Sequence, residues 1–121
     1  MIKGLHHISI IVSKEEGILF YKRLGFEEIK RIERGYDSVV YLETCGITLE
    51  IYIDPTHPPR VDRPEAMGLR HFALQVDNIE DALKAWDVLA EPIREVDGKR
   101  YTFIRDVDGL PIEIQESFGV I

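Results

Sequence analysis

Apolar and polar positions alternate in short runs along the chain, and the two clearest runs open alike. In residues 4–12, GLHHISIIV, the side chains of Ile8, Ile10 and Val12 fall on one face, with His7, Ser9 and Ile11 on the other. In residues 68–76, GLRHFALQV, Phe72, Leu74 and Val76 share a face, opposite His71, Ala73 and Gln75. Glycine, leucine, one histidine and the closing valine recur at an offset of 64 residues (4 to 68). Each run predicts a strand with one apolar face. His7 matches His71 in position and face, whereas His6 has the parity of the apolar residues and reads as an edge or packing residue.

The repeat extends past these strands. Ser13 with Glu16, and Asp77 with Glu80, have capping-box spacing at the same offset. Behind the first, GILFYKRLGF predicts a short helix ended at Gly25. Behind the second, Ile79, Ala82, Leu83, Trp86 and Leu89 fall at helical spacing, which makes Trp86 a core residue rather than a ligand platform. Strands are then expected in FEEIKRIE, DSVVYLET and ITLEIYI of the first copy. In the second copy they are expected near EPIREV, in RYTFIRD and in PIEIQES, with DVDG as a turn. The fold class is thus α+β, two tandem β-α-β-β-β modules, within one domain over residues 1–121. Module 1 covers residues 1–53, a proline-rich charged linker 54–67, and module 2 residues 68–121. A half of this size is marginal alone, so the modules are expected to share a sheet or exchange with a second chain.

Composition narrows the function. The net charge of −7 argues against nonspecific binding to nucleic acid or to an anionic membrane surface. No apolar run approaches a membrane span, and the first residues lack a secretory pattern. The single cysteine, Cys45, excludes an internal disulfide and suits a cytoplasmic location; it is read as a small packing residue at a turn entering a strand.

Each module also closes on a glutamate within a β-branched strand: Glu50 in ITLEIYI and Glu113 in LPIEIQE. Alternation places both away from the apolar side, on the parity of His7 and His71. The separation is 43 residues from His7 to Glu50 and 42 from His71 to Glu113. A lone strand histidine is usually structural and a lone strand glutamate usually solvated. Two of each at matched positions predict a mixed nitrogen and oxygen metal site. Neutral imidazoles and two carboxylates balance a divalent charge, and a set without thiolate suits octahedral Ni, Co, Mn, Fe or Zn. Four protein ligands leave two octahedral positions for adjacent substrate oxygens.

The stretches LHHISIIV, LGF, GLRHFALQV and DVDGLPIEI resemble the vicinal oxygen chelate superfamily, which includes glyoxalase I, fosfomycin-resistance transferases, extradiol dioxygenases and bleomycin-resistance proteins. The resemblance implies curved mixed sheets around a metal cavity, with modules often paired across a homodimer. It maps the ligand positions onto His7, Glu50, His71 and Glu113. A carboxylate at Glu50 is similar to glyoxalase I, whereas the dioxygenases and fosfomycin enzymes use two histidines and one glutamate. What this implies is a lyase or isomerase that converts a thiol–methylglyoxal hemithioacetal, or another small molecule with vicinal oxygens, through an enediolate. Glu113 would be the general base, with Glu50 its partner ligand. The chain departs from the glutathione-binding pattern of bacterial glyoxalase I at Ile11, where an arginine is usual, and at Asp54, where an asparagine is usual. The alternatives are a metal-free drug- or small-molecule-binding protein and an iron-dependent extradiol-type dioxygenase.

Other residues offer less specific chemistry. Lys99 and Arg100 at a strand entrance, and Arg60 and Arg63 in the linker, suit an anionic ligand or surface ion pairs. Asp106 and Asp108 lie in a segment too short for a calcium loop and read as a turn. His57 reads as an exposed loop residue, and Tyr52 and Gln75 as pocket-lining residues on the ligand face.

Overall fold

The computed structural model describes residues 1–116, so Ser117 of the expected last strand and residues 117–121 of module 2 lie outside the described residues. The chain divides into two compact units, Met1–Pro59 and Arg60–Ile121, a division that falls inside the expected linker.

Unit 1 runs β1 (Ile8–Val12), α1 (Glu16–Arg23), β2 (Glu27–Glu33), β3 (Ser38–Thr44) and β4 (Ile47–Ile53). Its sheet has the order β1-β4-β3-β2, with β1 parallel to β4 and the other pairs antiparallel. The apolar alternation does what it predicts: Ile10, Val12, Leu49 and Ile51 are buried, whereas Ser9 and Ile11 on the opposite parity are exposed. Helix α1 buries Gly17, Ile18, Phe20 and Tyr21. Each fully buried aliphatic side chain contributes roughly 1.5–3 kcal/mol. The approach of α1 to β1 requires a glycine, because a Cβ at Gly17 would lie 2.7 Å from the Cβ of Val12. The helix ends at Leu24 in a Schellman arrangement: the Gly25 amide donates to the Lys22 carbonyl and the Phe26 amide to that of Tyr21. Gly25 takes φ +107°, which gives the expected stop.

Unit 2 repeats the order with β5 (Phe72–Gln75), α2 (Ile79–Trp86), β6 (Arg94–Val96), β7 (Lys99–Arg105) and β8 (Pro111–Gln115). Its sheet order is β5-β8-β7-β6, again with the first pair parallel. Ile79, Ile104, Ile112 and Ile114 form its core. The buried Thr102 hydroxyl donates to the Glu91 carbonyl at 2.6 Å. Asp106 begins the expected turn, its Oδ1 accepting the amides of Asp108 and Leu110. The α+β reading with tandem β-α-β-β-β modules therefore holds.

Several local expectations are corrected. The assigned caps differ from the expected ones: Glu15 is the N-cap of α1 and gives no side-chain cap bond, while the cap of α2 is Asn78, whose side chain accepts the Asp81 amide at 2.8 Å. In α2 the cap falls one residue after the expected Asp77, at Asn78, which takes the extended conformation a cap needs. Leu89 lies beyond α2 and is exposed, since Asp87 ends the helix in the left-handed region. Trp86 is half-buried. Cys45 is no packing residue. It is exposed, because the two-residue turn from β3 to β4 requires positive φ at Cys45 and Gly46 and aims the thiol outward. The same turn type joins β6 to β7 through Asp97 and Gly98, a signal in VDGK that alternation alone passes over. No helix among the described residues is long and apolar enough to cross a membrane.

Candidate metal centre

In each unit, a histidine one residue before a parallel strand meets a glutamate on the strand beside it. In unit 1, Ser9 is in register with Glu50, which brings His7 Nε2 to 3.5 Å from Glu50 Oε1. In unit 2, Ala73 is in register with Glu113, and His71 Nε2 lies 3.1 Å from Glu113 Oε1. In both, the strand residue two after the histidine faces the glutamate. The repeat is therefore one of register as well as sequence. Both carboxylates are mostly covered, with side chains 14% exposed, and the imidazoles are more open. Within neither unit do the described residues gather three or more His, Cys, Asp or Glu into a group able to hold a metal.

The two glutamates differ in how they are held. Glu50 accepts Ser9 Oγ at 2.6 Å on Oε1 and Tyr41 Oη at 2.7 Å on Oε2. The Ser9 and Tyr41 hydrogen bonds hold its pKa below the ordinary carboxylate value against the opposing effect of desolvation. The Tyr41 phenol is raised in turn by that bond. Ala73 and Phe103 occupy the corresponding register positions around Glu113, and neither offers a hydroxyl. Glu113 instead accepts the Gln115 amide, and Phe103 sets its ring edge-to-face with His71 at 5.0 Å between centroids. The contrast is legible in SII against FAL and in VVYLE against YTFIR once the register is known.

His6 has a role its parity did not suggest. Its Nδ1 lies 2.9 Å from His7 Nδ1, so one ring donates and the other accepts. This contact holds the His7 ring with Nε2 toward Glu50. A partner on the second ring nitrogen fixes both orientation and tautomer of an imidazole.

The remaining candidates separate cleanly. Arg100 points away from the ligand face, pairing with Glu80 at 2.6 Å and Glu116 at 2.7 Å, which raises its pKa. Arg60 reaches Glu65 and the Arg70 carbonyl as a local ion-pair partner. Asp54 caps its own loop by accepting the Thr56 amide and hydroxyl, and His57 stands 3.4 Å from it. A cavity of about 620 Å³ opens on the ligand face of unit 2; His71, Lys99, Tyr101, Phe103, Glu113 and Gln115 line it. Lys99 thus belongs to the ligand face and Arg100 does not. Gln75 is not among the lining residues, whereas Gln115, two residues from Glu113, is. Tyr52 lies half-buried on the Glu50 face of unit 1.

Comparison with known proteins places this architecture. The profile of the Glyoxalase/Bleomycin resistance protein/Dioxygenase superfamily matches residues 4–114. Protein YwkD of Bacillus subtilis (strain 168) is 38% identical, over 96% of this chain and 98% of its own. A glyoxalase family protein from Enterococcus faecalis has a crystal structure that superposes with a TM-score of 0.86 at 36% identity, covering 94% of this chain and 98% of that one. Likeness in fold alone extends to a fosfomycin resistance protein, FosX, from Listeria monocytogenes, solved with Mn(II), at TM-score 0.76 and 22% identity over 98% of this chain and 96% of that one. The chain belongs to the Glyoxalase/Bleomycin resistance protein/Dioxygenase superfamily.

Proposed function

We propose that this chain is a metal-dependent lyase or isomerase of the glyoxalase I type, with His7, Glu50, His71 and Glu113 as its divalent-metal ligands. The observation that carries the reading is the duplicated His–Glu pair in identical register, since one such pair has structural explanations and two matched pairs have few. The donor set fits a cation of this kind. Each pair presents an imidazole nitrogen and a carboxylate oxygen on one sheet face at 3.1–3.5 Å. No thiol competes, as Cys45 lies at an exposed turn. The metal, among Ni, Zn, Co, Mn and Fe, and the pairing of copies as a homodimer follow from the same family reading, which the Mn(II)-bound fosfomycin resistance protein supports for the metal.

When bound, the cation supplies Lewis acidity to two vicinal oxygens of a small-molecule substrate, which eases departure of a proton from the adjacent carbon. The division of labour between the glutamates follows from their neighbours. Ser9 and Tyr41 anchor both oxygens of Glu50, which makes it a fixed ligand. Glu113, with an alanine and a phenylalanine in those places, is free of hydroxyl donors and serves as the base that takes the proton and returns it to the neighbouring carbon. Phe103, edge-to-face with His71, gives this side of the pair an apolar wall.

The test is metal content of the purified chain, with a hemithioacetal isomerase assay after adding nickel, cobalt, zinc or manganese. Stoichiometric metal, and activity lost in both Glu50→Gln and Glu113→Gln, is the expected result. Metal without isomerase activity would discard the substrate. A chain that takes up no metal under any condition would overturn the reading in favour of a metal-free binding protein.

A further inference from the structure

We propose that the cavity of unit 2 has an anion-recognition end, formed by Arg94 and Lys99, which selects an elongated substrate with a terminal anionic group. Both residues line the cavity that also contains His71 and Glu113. The pairing of β6 with β7 sets Arg94 opposite Tyr101 and Val96 opposite Lys99. Arg94 and Lys99 are therefore diagonal neighbours on one sheet face, separated by about 7–8 Å. Two cations so placed repel one another, and an anion held between them relieves that repulsion.

Among the described residues no carboxylate fills this role, although Asp62 and Glu91 also line the cavity. Asp97 lies in the turn between the two strands, yet among the described residues neither Arg94 nor Lys99 has an ion-pair partner. The contrast with other arginines is informative. Arg31, Arg34, Arg60, Arg70 and Arg100 each hold a carboxylate, as expected in a chain with 22 acidic and 15 basic residues. Glu65, another acid of the cavity, is already held by Arg60 and Arg70.

The geometry also sets the length of the ligand. Phe103 is the β7 residue opposite Glu113, and Lys99 lies four residues up the same strand. At about 3.3 Å per residue this is roughly 13 Å from the reacting end. Tyr101 lies between them with its ring edge-to-face on Phe103 at 6.3 Å, which gives the middle of the cavity an aromatic wall. The ligand class is thus a molecule with vicinal oxygens at one end, an apolar middle and an anion at the other. Compact anionic substrates would not reach both ends. The assignment of the reacting end rests on the proposed isomerase function, whereas the anion end is testable without it.

The experiment uses two fluorescent probes with the same aromatic skeleton, 8-anilino-1-naphthalenesulfonate and the uncharged N-phenyl-1-naphthylamine, titrated into the full chain at low salt. The sulfonate is expected to bind more tightly than its neutral counterpart. Arg94→Gln and Lys99→Gln should each weaken the sulfonate by about 3- to 10-fold, the size of a partly screened charge-assisted contact, and leave the neutral probe unchanged. Lys99→Arg should retain the preference, and Lys84→Gln, which removes a charge from exposed α2, should change neither probe. Equal loss of both probes, or no preference for the sulfonate in the unsubstituted chain, would overturn the proposal. Metal content measured on the same samples keeps the two readings apart, since a metal-free chain removes the isomerase function while the probe ratio still decides the anion end.

Discussion

Phe103→Tyr tests the division of roles between the two glutamates. Phe103 faces Glu113 as Tyr41 faces Glu50, in the same antiparallel pairing, so the substitution places a phenol where unit 1 already has one donating at 2.7 Å. A charge-assisted hydrogen bond is worth about 1.5–3 kcal/mol before screening. A donor of this kind stabilises the ionised carboxylate and so weakens it as a proton acceptor. If Glu113 removes the proton, part of that loss appears in the transition state, and kcat should fall by about 3- to 10-fold. The plateau of kcat/KM should drop with it. Metal affinity, measured by chelator competition, should stay within a few fold. The mirror substitution, Tyr41→Phe, should behave oppositely, costing about 10- to 100-fold in metal affinity with little loss of kcat at saturating metal. An unchanged plateau in Phe103→Tyr together with a depressed plateau in Tyr41→Phe would refute the assignment and make Glu50 the base.

Three further substitutions probe the scaffold. Gly17→Ala should destabilise by about 1–2 kcal/mol by urea unfolding, because overpacking against Val12 outweighs alanine's helix propensity, and Val12→Ala on that background should recover part of the loss; a stabilised Gly17→Ala would contradict the close approach. Asn78→Ala removes the Asn78 side-chain cap of α2 and should cost about 1 kcal/mol, with Asn78→Asp nearly neutral in the same assay. Arg31→Met severs bonds to Glu15 and Glu28 and should cost roughly 1 kcal/mol near neutral pH, a figure reduced for solvent screening because these side chains are partly exposed. Glu28 is held down to about 2 from 4.5, first by its Arg31 hydrogen bond, so that stabilisation is present above pH 4.5 and is lost as pH falls toward 2. The gap between the unsubstituted chain and Arg31→Met should accordingly close over that window, and a gap independent of pH would exclude the ion pair as its cause.

Alternation along GLHHISIIV, ITLEIYI, GLRHFALQV and PIEIQ sufficed to place all four candidate ligands on the face away from the core, because a strand's period of two leaves no freedom once one face is apolar. Strand ends and helix caps were less legible. Asp77 had the right chemistry for a cap, but capping depends on backbone dihedrals, and the cap of α2 is Asn78, in the extended conformation. Cys45 and Asp97 sit at turns because a two-residue hairpin followed by glycine demands positive φ, a requirement that overrides what their side chains prefer.

The deeper gap is between parity and register. Parity places Lys99 with Glu113 and Arg100 opposite, yet two adjacent cations at a strand entrance look equivalent until the helix α2 carboxylate Glu80 and Glu116 are seen to claim Arg100. Likewise, no spacing along the chain distinguishes Glu50 from Glu113, since both are single glutamates in β-branched strands. The distinction lies across strands, in Ser9 and Tyr41 against Ala73 and Phe103. Duplication explains why it takes this form. Two copies of one module supply equivalent His–Glu pairs, and on the proposed function a reaction that needs one fixed carboxylate and one proton-carrying carboxylate can be obtained by changing only the residues that face them. On that proposal the symmetry of the pairs serves the metal, and the asymmetry of their neighbours the chemistry.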